Sequence, residues 1–117
     1  MKIEILKINN YTVAEVQSEE IIINEMQDAL DLMADCNYQG ADTIMLQEKN
    51  LVPEFFNLKT RIAGEILQKF STYRARLIII GDFSKYESKS LRDFIFESNK
   101  VGRIIFASSK SEALERL

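Results

Sequence analysis

The sequence predicts an α/β fold: one domain over residues 1–117, with a mixed five-stranded sheet and four helices in the order β-β-α-β-α-β-α-β-α. Three observations carry this. Arg76-Leu77-Ile78-Ile79-Ile80-Gly81-Asp82 sets four branched apolar residues in a row and ends them in a Gly-Asp turn, the pattern of a strand buried on both faces of a parallel sheet. Near the start, two alternating runs flank Asn9-Asn10, a turn signal between antiparallel strands. Between the later apolar runs, apolar residues recur three and four apart, the period of crossover helices. At about 1.5–3 kcal/mol per fully buried large aliphatic side chain, the Leu77–Ile80 quartet is expected at the centre of the sheet.

Each element follows from local pattern. Lys2 to Ile8 alternates, with Ile3, Ile5 and Ile8 expected on one side. Tyr11 to Val16 alternates again, with Tyr11, Val13 and Glu15 opposed to Thr12, Ala14 and Val16. Ser18 is the expected N-cap of the first helix, with Glu19 and Glu20 at the positive end of its dipole. Ile22, Met26, Ala29, Leu30 and Met33 form its apolar stripe, and Gly40 stops it. Ala41 to Leu46 is the third strand, followed by a polar loop, Gln47 to Asn50. Pro53 opens a helical turn, and Phe55, Leu58, Ile62, Ile66 and Phe70 predict one amphipathic helix to about Tyr73. Gly64 inside it costs about 1 kcal/mol against alanine, for which close packing of helix on sheet is the expected reason. After the Arg76–Asp82 strand, Ser84 with Glu87, or Ser88, caps a third helix carrying Leu91, Phe94, Ile95 and Ser98, and Gly102 ends it. Arg103 to Ala107 is the last strand, and Ser109 with Glu112 caps a short helix anchored by Ala113, Leu114 and Leu117.

Composition narrows the chemistry. Apolar residues make up 46% and charged residues 28%, a soluble globular mix without a run long enough to span a membrane. The amino-terminal residues lack the apolar centre of a signal peptide, and the single cysteine, Cys36, fits a reducing cytoplasm. No histidine is present, so the commonest general base and metal ligand are missing. Neither a metal nor another cofactor is expected. A net charge of -3 argues against nucleic acid as a partner. The charge is uneven: residues 1–58 hold 11 acids and 3 bases (net -8), and residues 59–117 hold 7 acids and 12 bases (net +5). Complementary faces of this kind serve self-association or partner docking when they are not cancelled internally.

Three long stretches carry a resemblance: Gln27 to Met33, Leu58 to Phe70, and Gly81 to Tyr86 continuing through Ser88 to Ile95. They resemble a bacterial family of unknown function, domain-of-unknown-function family 4180, over nearly the whole chain. The element order is similar to the STAS fold of bacterial anti-sigma-factor antagonists. That resemblance implies a regulatory interaction domain with a phosphorylated serine in an Asp-x-Ser-Gly turn after the third strand. Here the region reads Phe56-Asn57-Leu58-Lys59-Thr60-Arg61, with Leu58 in place of the aspartate and Arg61 in place of the glycine. Thr60 is the nearest hydroxyl and the candidate for modification.

Candidate site residues come from two arguments. Ligands of open α/β sheets sit beyond the strand carboxyl ends, which gather Lys49, Asp82, Ser84 and Ser109 as candidates for holding a small anion. An enzyme would have to use Asp82, Glu48, Lys49 or Lys85 for proton transfer, and no catalytic motif surrounds them. The second argument is surplus aromatics. Phe56 cannot share a stripe with Phe55, Phe96 lies roughly 140° from Leu91, and Tyr86 sits at an element end. Phe56, Tyr86 and Phe96 are therefore the expected interface residues, toward a protein partner or a second copy of the chain. The reading is a non-catalytic interaction or regulatory module, with an anion binder as the alternative.

Overall fold

The alternating and continuous apolar runs form strands wherever they occur. The structure, a computed structural model, describes all 117 residues. Its strands are β1 (Lys2–Ile8), β2 (Tyr11–Gln17), β3 (Thr43–Gln47), β4 (Arg76–Ile80) and β5 (Ile104–Ala107). Its helices are α1 (Met26–Tyr38), α2 (Ile62–Thr72), α3 (Lys89–Val101) and α4 (Lys110–Glu115). The sheet order is β1-β2-β3-β4-β5, antiparallel between β1 and β2 and parallel thereafter. The mixed α/β domain with five strands and four helices is thus the fold expected from the sequence. One expectation shifts: β4 is interior and fully buried at Leu77, Ile78 and Ile79, but the middle strand is β3.

Strand order and chain order coincide, and this decides where the helices go. Each right-handed parallel crossover advances the sheet in one direction, so each places its helix on the same face. Ala14, Val16, Ile44, Leu46, Leu77, Ile79, Ile104 and Phe106 meet Ala29, Leu32, Met33 and Cys36 of α1, Ala63, Ile66 and Phe70 of α2, and Leu91 of α3 in a single core. The opposite face carries Val13, Met45, Ile78 and Ile105, and six-residue α4 covers it through Ala113, with Leu117 beside it. Register in the hairpin sets Leu6 against Val13 and Ile8 against Tyr11, so Ile8 faces α4 and is not on the side of Ile3 and Ile5.

Two helical boundaries differ from expectation. Ser18 caps no helix: its hydroxyl accepts from the Glu20 amide, and residues 18–25 bend at 19–20 and again at 24–25 around a short extended stretch, Ile23 bridging Leu51 in parallel. The β-branched run Ile21-Ile22-Ile23 favours that conformation, and α1 starts only where Asp28 accepts from the Asn24 and Glu25 amides. The helix expected from Phe55 to Tyr73 is broken. Pro53–Phe56 and Leu58–Thr60 are single 3₁₀ turns, and Arg61 takes a left-handed conformation (φ 67°) before α2. Gly64 does not touch the sheet: a Cβ there would meet nothing within 4 Å. Of the two caps considered for α3, Ser88 is the one used, accepting from the Leu91 amide at 3.2 Å, and Gly102 ends the helix at φ 83°.

Candidate functional site

The strand carboxyl ends bring three loops together. After β3 the chain turns through Glu48–Asn50, and Asn50 is completely buried. Its Nδ2 donates to the carbonyls of Ser18 (3.0 Å) and Glu20 (2.8 Å), and its Oδ1 accepts from the Gln47 amide at 2.9 Å. Its own carbonyl accepts from Ile22 (2.7 Å) and Ile23 (3.0 Å). One amide side chain therefore stitches residues 18–25 to the end of β3. The sequence offered no sign of this beyond an asparagine in a polar loop.

Glu48 is the most enclosed charged group at this end, its side chain 16% exposed. It accepts from the Tyr86 hydroxyl and pairs with Lys85 at 2.8 Å. Gly81 makes room for it, since a Cβ at that position would lie 2.7 Å from Glu48 Cβ and Oε1. The Gly-Asp strand exit is thus a packing requirement as well as a turn. Burial first, then the hydrogen bond and charge of Glu48, push the Tyr86 hydroxyl well above the usual tyrosine range. The Tyr86 ring stacks on Phe56 at 5.1 Å, and Phe56, Phe83, Phe106 and Phe94 continue inward as one aromatic row.

The other candidates are held by their own neighbours. Asp82 Oδ1 accepts from the Ser84 amide (3.1 Å) and hydroxyl (2.5 Å), which hold its carboxyl below the usual range. Ser109 caps α4, accepting from the Glu112 amide at 3.1 Å. Glu112 in turn accepts from the hydroxyl (2.6 Å) and amide (2.8 Å) of Ser108, and these lower its pKa. Lys49 pairs with exposed Glu19. The Thr60 hydroxyl lies 2.8 Å from the carbonyls of both Glu54 and Asn57.

A shallow depression of about 300 Å³ gathers Lys49, Phe56 and Tyr86, together with Glu48 and Lys85. Asp82, Ser84, Ser109, Thr60 and Phe96 do not line it. Phe56 is buried in the core, and Phe96 stands exposed on the outer side of α3, where Lys100 lies 5.5 Å from its ring. No group of three or more His, Cys, Asp or Glu side chains is placed to share a metal ion.

A larger hollow of about 390 Å³ opens at the opposite end of the sheet, between the second half of α1 and the turn that follows α2. Met33, Cys36, Ile44 and Ala75 form its apolar wall, with Tyr73 and Arg74 at the margin. Burial and then the charge of Asp35 push the Cys36 thiol up to about 11, so it is an inert part of that wall. Sequence periodicity placed Leu30 and Met33 of this lining on the core stripe of the first helix and gave no sign of a gap beside them.

Residues 8–117 match the family model described as Domain of unknown function (DUF4180). The chain belongs to that family. No curated protein and no solved structure matches it. The match to DUF4180 begins at the last residue of β1 and takes in every crossover and every loop of the carboxyl-end cluster. The family description carries no activity, so function has to be argued from the surface of the domain itself.

Proposed function

We propose that this DUF4180 chain is a non-catalytic protein-interaction module of regulatory type, working in a bacterial cytoplasm. One observation carries the reading: the helix layer leaves large aromatic side chains bare, Tyr38 at 93% exposure on α1, Phe96 at 62% on α3, and Tyr73 at 62% just past the end of α2. Aromatic residues left in water at element ends and helix crests are the composition of interface hot spots. The element order supports a STAS-like regulatory architecture, and the free, buried Cys36 thiol supports a reducing compartment.

The strand carboxyl ends favour this reading over the alternatives. A small anion there would have to displace Glu48 from Lys85 and Glu19 from Lys49. Proton transfer through Asp82 would start from a carboxylate that its serine neighbour has made a weaker base. The test is affinity capture of the tagged chain from its native cell, beside a Tyr38→Asp/Phe96→Asp double variant. Wild-type bait is expected to retain a defined protein, an untagged copy of itself included, that the variant loses. Identical captures from both baits would overturn the reading.

A further inference from the structure

The outer crests of the three helices that share one face carry a charge pattern with a symmetry. On α1, at about 100° per residue, Gln27, Asp31, Asp35 and Tyr38 fall within about 40° of one line, pointing away from buried Ala29, Met33 and Cys36. The helix contains three aspartates and no base. On α3, Lys89, Arg92 and Lys100 fall within about 40° of bare Phe96, opposite buried Leu91 and Ser98; Lys89 is paired with Asp93 at 3.0 Å, which leaves Arg92 and Lys100 as the ridge's unpaired cations. Between these two ridges lies α2, whose exposed residues are Gly64, Glu65, Gln68, Ser71 and Thr72, with Glu65 the one charge among them.

Gly64 is the second, independent observation. A glycine in mid-helix costs stability against alanine, and no neighbour within the chain uses the room it leaves. A helix crossing closely from outside would use it. The layer thus reads, in order across α1, α2 and α3, as acidic with an exposed tyrosine, mostly uncharged with a single glutamate, and basic with an exposed phenylalanine.

We propose that the chain forms a two-fold homodimer through the outer face of this layer, α2 crossing its own copy at Gly64 and the acidic α1 ridge of each protomer seated on the basic α3 ridge of the other. The inference rests on the interaction reading above and names the partner as a second copy. A second copy fits because a two-fold axis through α2 carries each ridge onto its opposite at once and closes the assembly. The division of charge supports this, with a net of -8 over residues 1–58 and +5 over residues 59–117.

Sedimentation velocity on the full chain, from micromolar to millimolar concentration at low and high salt, tests it. A dimer that weakens as salt rises is expected. Gly64→Leu, at an exposed position, is expected to keep the far-ultraviolet dichroism and lose the dimer. Arg92→Glu/Lys100→Glu and Asp31→Lys/Asp35→Lys are each expected to weaken self-association on the order of tenfold or more, and a mixture of the two to form a heterodimer. A monomer at millimolar concentration in low salt would overturn the proposal, as would a dimer indifferent to all these changes. If that monomer still captures a different protein through Tyr38 and Phe96, the homodimer fails while the interaction reading stands.

Discussion

Asn50 shows how much one polar residue can organise when it is wholly enclosed. Its amide answers two backbone carbonyls that no other group reaches, in a segment without regular structure. Asn50→Ala is expected to leave both carbonyls unsatisfied and to cost about 2–4 kcal/mol in denaturant unfolding. The effect should spread to faster amide exchange over residues 18–25. A second prediction follows from two groups whose protons the fold retains. Cys36 and Tyr86 both titrate higher in the folded chain than in the unfolded one. The unfolded chain therefore gives up these protons first, and stability is full below about pH 9 and falls as pH rises beyond it. Thermal unfolding across the alkaline range should show this loss, and Cys36→Ala should remove the part that begins near pH 9.

At the scale of elements, what the sequence reveals depends on how local the deciding force is. The Leu77–Ile80 quartet and the hairpin around Asn9-Asn10 were legible because burial and turn chemistry act within a few residues. The amino end of α1 was not: Ser18, Ile22 and Met26 have helical spacing, yet Asn50, far along the chain, holds Ile22 and Ile23 extended. The break at Arg61 was equally hidden, since apolar spacing from Phe55 to Phe70 runs straight through it. The candidate site followed the same rule. Asp82 and Ser84 were visible as neighbours, whereas the enclosure of Glu48 by Gly81, Lys85 and Tyr86 is a long-range contact. Arg61 itself gives an element-scale prediction. A left-handed residue with a Cβ is strained, so Arg61→Gly should raise stability by about 0.5–1 kcal/mol, measured by the urea midpoint at unchanged slope.

For the whole molecule, the two faces of the sheet are guarded unequally. Three helices of 11 to 13 residues cover one, and a six-residue helix covers the other. Ala113 is fully buried against Val13, Met45, Ile78 and Ile105. Ala113→Arg is therefore expected to lift α4 and expose that whole face, a change read as dye binding and a broadened, non-cooperative thermal transition. A sharp transition near the wild-type temperature would show that the face is held by something other than α4.

Because the strands lie side by side in the sequence of their synthesis, a chain leaving the ribosome can lay each one against a ledge that already exists. No strand has to wait for a distant mate, and α4 arrives only after all five are in place. Until then Val13, Met45, Ile78 and Ile105 stand bare on the back of a finished sheet, so the interval before that last short helix docks is the moment at which the newborn protein most needs protection from its neighbours.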